Sequence, residues 1–207
     1  MEKPTLIPLF PLDVVLLPSM ALPLHIFEPR YKIMIGLCLS EKVEFGMVLA
    51  ANQSIAGVGC TAEVVQKVKD YPDGRMDIVV EGRSVFRLVE IVEEKEYYQG
   101  VVEYLVDEPS DANIGEQARL IELFDKCHRL LFGKTLVDTT PAEPHLFAYR
   151  LAAHLPLELQ SRQPLLDMRK ESERRAFLLE WMEKFLPRVT EREKIRKRAG
   201  GNGHASI

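Results

Sequence analysis

Six prolines stand among the first 29 residues, at Pro4, Pro8, Pro11, Pro18, Pro23 and Pro29, out of 13 in a chain of 207. Each removes a backbone donor and locks φ, so a helix or a long central strand cannot run through this stretch. Short apolar pieces lie between them: Leu6-Ile7, Leu9-Phe10, Val14 to Leu17 and Leu22 to Leu24. They predict short edge strands, bends and bulges in a compact β structure. The same prolines, with Asp13, interrupt the apolar run from Leu6 to Leu24. It therefore reads as neither a membrane-spanning helix nor the core of a signal peptide.

From Tyr31 the period changes. Tyr31, Met34, Ile35, Cys38 and Leu39 share one helical face, with Pro29 suited to the first turn. Strand signals follow in the apolar run Phe45 to Ala51 and in residues 61–69 and 75–80, which flank the turn Tyr71-Pro72-Asp73-Gly74. Alternation continues through Val85, Arg87, Val89 and Ile91, then from Val101 to Val106. Short strands at this spacing predict a closed or nearly closed antiparallel barrel. A polar, turn-rich segment, Asp107 to Asp111, ends it.

Beyond that point the pattern is helical. Leu120, Phe124, Cys127 and Leu131 form one stripe, and Thr140-Pro141-Ala142-Glu143 reads as a capping box opening a second helix that Pro156 ends. A third short helix is predicted over Leu157 to Leu166, disturbed by Pro164, and a fourth from about Ser172 to Leu186. The expectation is an α+β chain. A β subdomain with one short helix spans 1–108, a small helical bundle spans 112–187, and a charged, disordered tail spans 188–207.

Charge separates the halves. Residues 1–110 carry 10 basic against 17 acidic side chains, a balance of −7, and residues 111–207 carry 17 against 14, or +3. Cys38, Cys60 and Cys127 are far apart, odd in number and in apolar contexts. That excludes a disulfide framework or a thiolate zinc site and predicts a reducing, cytoplasmic setting.

Two short motifs mimic nucleotide sites. Gly57-Val58-Gly59-Cys60-Thr61-Ala62 fits GxGxxA, but the turn at Pro72 follows too closely for the helix that a pyrophosphate needs. Gly133-Lys134-Thr135 ends like a P-loop, yet His128 occupies its first glycine position and a helix precedes it. It reads as a helix C-terminus. No GxSxG or HExxH occurs, His145 and His154 fall on opposite faces of one predicted helix, and His128 is expected exposed beside a core thiol. No catalytic residue, metal or cofactor is predicted.

One string carries a family resemblance. Leu6 to Leu12, Val14 to Pro18 and above all Leu22-Pro23-Leu24-His25-Ile26-Phe27-Glu28-Pro29-Arg30-Tyr31 resemble the opening of the Lon protease N-terminal domain family. Ser19 departs from it, standing where the family has glycine. Val58 to Val64, Ile78 to Arg83 and Leu155-Pro156-Leu157 with Arg162-Gln163 are similar to its later parts. The resemblance spans roughly residues 5–187. It implies a PUA-like β barrel followed by a helical bundle, a non-catalytic domain standing without ATPase or peptidase, and recognition of unfolded or apolar polypeptide segments. The partners implied are those segments and a protease or other quality-control machine, with no membrane.

Two readings of the surface stand. In one, Pro23, His25, Phe27, Arg30 and Tyr31 line a groove for an extended apolar peptide. In the other, Glu28 and Arg30 pair or cap the helix while His25 and Tyr31 satisfy buried backbone. The alternative function is an RNA-binding PUA-like module using the basic tail (Arg188, Arg192, Lys194, Arg196, Lys197, Arg198). Glu191 and Glu193 interrupt that tail and no aromatic interleaves it, so a solvated helix extension is favoured.

Overall fold

The computed structural model describes residues 3–51, 53–109, 114–135 and 144–201, with side chains to residue 191. The capping box at 140–143 lies outside them. Two compact units are present, one of Met1–Glu108 with Pro156–Arg169, the other of Pro109–Leu155 with Lys170–Ile207.

The first unit holds seven strands, β1 (Leu6–Leu12), β2 (Ala21–Ile26), β3 (Phe45–Ala51), β4 (Ser54–Ile55), β5 (Val58–Asp70), β6 (Met76–Val92) and β7 (Gln99–Tyr104), with α1 (Pro29–Glu41) between β2 and β3. They pair in the order β1-β7-β6-β5-β3-β4. Pairing of β1 with β3 closes the sheet on itself, and β2 lies off the ring against β6. The ring encloses Ile7, Leu9, Val48, Phe86 and Val102. The barrel expected from the strand spacing is present, with one departure from antiparallel pairing: the β1–β3 closure is parallel. The 32 residues between those strands, which include β2 and α1, supply the crossover that a parallel pair needs.

The prolines of β1 do not confine it to an edge, contrary to the expectation. The bonds Leu9 N–H to Tyr98 O and Val102 N–H to Thr5 O aim odd-numbered residues of β1 at β7. Even-numbered residues therefore face β3, whose pairing begins only at Leu9. Pro8 points its missing donor toward β3 before that pairing starts, and Pro11 points its own toward β7 beyond the last shared bond. Each proline sits where no partner asks for an N–H.

Segments read as separate strands at 75–80 and 85–91 are one 17-residue strand, β6. Four register shifts accommodate its length: Val65 and Val68 are the extra residues on β5, Arg83 and Ser84 of β6 together oppose Thr61, and Val89 is the extra residue on β6 against β7. These valines stay exposed because a bulged residue lies outside the alternation that buries its neighbours.

The helical elements are not one contiguous half. Alongside α2 (Ile114–Phe132), α3 (Phe147–Ala153) and α5 (Glu171–Gly201), the chain sends α4 (Leu159–Asp167) back to the barrel unit. There Gln163 Nε2 donates to Val58 O at 2.9 Å, Glu108 N–H donates to Arg169 O at 2.7 Å, and Leu165 and Leu166 are buried. The bundle boundary expected at 112–187 is thus interrupted. α5 also continues through Pro187 to Gly201, past the expected end at Leu186.

The second unit packs Leu120, Phe124 and Cys127 of α2 with Leu178 and Met182 of α5. Arg174 is fully buried, bonding Glu171 Oε2 at 3.0 Å and His145 O at 2.9 Å while stacking over the Tyr149 ring at 4.3 Å. Glu171 accepts a further bond from Ala148 N–H at 2.8 Å. Burial pushes the Glu171 carboxyl up to about 7, against the lowering effect of that amide and of Arg174.

Candidate polypeptide-recognition surface

Past Ala62, β5 leaves β3 and continues with β6 and β2 as a three-stranded antiparallel ribbon. The ribbon ends at the turn predicted from Tyr71-Pro72-Asp73-Gly74, closed by Tyr71 N–H to Arg75 O and Gly74 N–H to Tyr71 O, each 2.9 Å. Gly74 has φ 81, a left-handed conformation that a side chain resists. Register sets His25 of β2 directly opposite Asp77 of β6.

That register builds the polar part of the surface. His25 Nδ1 donates to Asp77 Oδ1 at 2.5 Å, and Tyr71 Oη donates to Asp77 Oδ2 at 2.8 Å. The His25 bond first, and the Tyr71 bond second, hold the Asp77 carboxyl below its usual range. The His25 ring stacks near Phe27, centroids 6.0 Å apart, and meets Tyr71 edge-on at 5.8 Å. Lys69 and Arg75 lie over the Tyr71 ring at 4.4 and 4.9 Å. Phe27 is 58% exposed, a large apolar ring left in water beside a polar cluster.

The five residues singled out from sequence separate here. Pro23, His25 and Phe27 are exposed together at the β2 end of the ribbon. Arg30 is tied to Glu28 through Nε at 2.9 Å and Nη2 at 2.8 Å, and stacks on the Tyr31 ring at 4.6 Å. Glu28 makes no side-chain cap to α1, so of pairing and capping the helix uses pairing. Tyr31 does not line a surface. It is 5% exposed, packed on Phe10 at 4.1 Å between centroids, and burial raises its hydroxyl pKa. Its place on the buried face with Met34, Ile35 and Cys38 explains this. Tyr71 and Asp77 were missed from sequence. The turn was visible, but only the pairing register reveals that Asp77 meets His25.

His25 and Asp77 resemble a base and its orienting carboxylate, but His25 has rings beside it and, among the described residues, makes no hydrogen bond to a hydroxyl or thiol. Cys38, Cys60 and Cys127 are all buried, and burial raises the first and last to about 11 and Cys60 further. A thiol so held is protonated and inert at neutral pH. Among the described residues no group of three or more His, Cys, Asp or Glu converges to hold a metal ion.

The nucleotide-like motifs also resolve into packing. Gly59 lies within β5 opposite Phe86, where a Cβ would collide with the Met47 carbonyl, so its glycine serves close strand approach rather than a phosphate. Gly133, with φ 73, follows the last residue of α2 and donates to Arg129 O at 3.0 Å, a helix C-terminus. His128, expected exposed, is 4% exposed, with Nδ1 on Lys134 O at 2.7 Å and its ring against Phe132. The same C-terminal turn folds back over it. His154 stands edge-on to it at 6.4 Å, and burial is the first cause of its lowered pKa.

Comparison with known proteins agrees with this architecture. Residues 6–184 match the ATP-dependent protease La (LON) substrate-binding domain. Lon protease of Escherichia coli K12 is 26% identical over 93% of this chain, and Lon protease of Halothermothrix orenii is 29% identical over 81%. The chain spans about a quarter of those proteins, 26% and 23% of their lengths. A crystal structure of a Lon N-terminal domain protein from Xanthomonas campestris superimposes with TM-score 0.68 at 26% identity, covering 86% of this chain and 99% of that one. The N-terminal domain of the Mycobacterium avium complex Lon protease, at 15% identity and TM-score 0.61 over 86% of this chain and 98% of that one, shares the fold. The chain belongs to the Lon substrate-binding domain family.

Proposed function

We propose that this protein binds unfolded or apolar polypeptide segments, and that it does so on the surface formed by Pro23, His25 and Phe27 beside β2. The observation that supports this most directly is Phe27, 58% exposed and flanked by the His25–Asp77–Tyr71 cluster. An apolar anchor with oriented polar groups around it is what a peptide site needs. Membership of a substrate-binding domain family gives the same direction. The role is recognition without chemistry, in the service of a protease or other quality-control partner, in a cytoplasmic setting. No helix among the described residues is long and apolar enough to cross a membrane.

Fluorescence anisotropy with reduced, carboxymethylated α-lactalbumin, against the native folded protein as control, tests the reading. Saturable binding of the unfolded form alone is expected, weakened about tenfold or more in Phe27→Ala, a size typical of a buried aromatic anchor. Equal or absent binding of both forms would overturn it.

A further inference from the structure

Among the described residues the ribbon has two free edges, and they are built differently. The β5 edge carries two bulges, at Val65 and Val68, and its last turn of strand holds Lys67, Lys69 and Asp70. Bulges and lysines are how sheets keep other strands from adding to them. The β2 edge has neither. Its six residues pair with β6 in unbroken register, from Ala21 opposite Glu81 to Ile26 opposite Met76, and none carries a fixed charge.

Two bonds determine which backbone groups of β2 face outward. Gly82 N–H donates to Met20 O at 3.0 Å, and Tyr71 N–H to Arg75 O at 2.9 Å. The first aims even-numbered residues of β6 at β2, and the second aims odd-numbered ones at β5. In matching register, Leu22, Leu24 and Ile26 turn their backbone groups to β6, while Ala21, Pro23 and His25 turn theirs away. The outer edge thus offers N–H at Ala21 and His25 and C=O at all three, with Pro23 lacking only the central donor. On the outer face, Pro23 lies opposite Val79, and Val79 lies opposite Gln66 with the exposed, bulged Val65 beside it, an uncharged row across the ribbon whose β2 end is apolar.

We infer that β2 accepts an extended, uncharged, apolar segment of about six residues as an added strand of this ribbon. The occupant follows from what is unmet. Alternate outward N–H and C=O groups need a partner whose own backbone is extended and unused. The adjacent Pro23 and Val79 favour a β-branched or aliphatic side chain opposite Pro23, and Phe27 receives the segment's next apolar side chain beyond His25. A helix or a folded surface satisfies its backbone internally and cannot complete this edge. The inference rests on the polypeptide-recognition reading and specifies how that surface reads its ligand, through backbone more than sequence.

The test uses the full chain and a blocked, fluorescein-labelled octapeptide of alternating valine and serine, with two versions N-methylated at complementary alternate amides. An added strand turns only every second amide toward β2. One methylated version is therefore expected to lose at least tenfold in affinity and the other to bind as the parent does. Amide hydrogen exchange at Ala21 and His25 is expected to slow severalfold on peptide addition, with Lys67 to Asp70 unchanged. Ala21→Pro, which removes an outward donor, is expected to weaken binding roughly three- to tenfold, the scale of one hydrogen bond. Should that variant misfold, the methylated pair decides alone. Equal affinity of both methylated peptides without amide protection overturns strand addition and leaves peptide recognition intact. No binding of the parent peptide at millimolar concentration overturns both.

Discussion

Ser19 adopts φ 62, a left-handed backbone held by Ser19 N–H to Gly82 O at 2.8 Å and Met20 N–H to Leu17 O at 3.0 Å. A side chain there costs about 1–2 kcal/mol, and glycine returns up to about 1 kcal/mol of that through its freer unfolded state. Ser19→Gly is therefore expected to stabilise the protein by about 0.5–1 kcal/mol, raising Tm by roughly 1–4 °C in a chain of this size, measurable by calorimetry. The glycine on the other side of this contact has no such latitude. A Cβ on Gly82 would collide with the Leu17 carbonyl at the point where Pro18 bridges to Gly82. Gly82→Ala should lower stability by roughly 2–3 kcal/mol in the same experiment. Asp77 adds a titration. Its carboxyl is held low by His25 and Tyr71, so its ionised form favours the fold above the ordinary carboxylate pKa, and that contribution is lost as pH falls through its lowered folded value. Its carbonyl-carbon NMR titration should have its midpoint below 3.8, and His25→Ala should move that midpoint upward.

At the scale of elements, legibility followed periodicity and failed where pairing partners decide. The face of α1 was readable because Tyr31, Met34, Ile35 and Cys38 recur at helical spacing, and all four are buried. That same face contradicts a surface role for Tyr31, a conflict already present in the sequence. β1 was misread as an edge because proline removes a donor regardless of direction. Which side the donor faces depends on strands nearly 40 and just over 90 residues away. α5 shows a different limit. Arg174, on a charged-looking stretch, is the largest fully buried side chain among the described residues, and the Glu171 carboxylate, the His145 carbonyl and the Tyr149 ring make that burial tolerable. Removing its charge should therefore be costly. Arg174→Met leaves Glu171 buried without its cation and is expected to destabilise by about 3–5 kcal/mol in urea denaturation. Adding Glu171→Gln should restore a substantial part, because the desolvated carboxylate is then gone. A double variant no better than the single would show that the guanidinium's bonds to Tyr149 and His145 outweigh the ion pair.

At the scale of the molecule, the apparent division into a β half and a helical half is a property of the sequence and not of the packing. Composition changes near residue 108, yet the barrel unit takes back residues 156–169. Nothing local marks this. Leu165 and Leu166 look like any short helical core, and their partners on the barrel become evident only when Gln163 is seen bonded to Val58 and Arg169 to Glu108. The consequence concerns folding. Closing the barrel already requires a parallel pairing across 32 residues, and completing its unit requires a segment about 50 residues further on, so loop-closure entropy is met before these contacts form. A fragment of residues 1–108 would have every strand but none of α4, leaving apolar surface exposed over β5. Such a fragment is expected to give a poorly dispersed amide NMR spectrum and to bind a hydrophobic dye. Supplying residues 156–169 through a flexible glycine-serine linker should recover dispersion and suppress the dye signal. If residues 1–108 fold as stably as the intact chain does, α4 is an ornament on a self-sufficient barrel, and the two-segment unit is wrong.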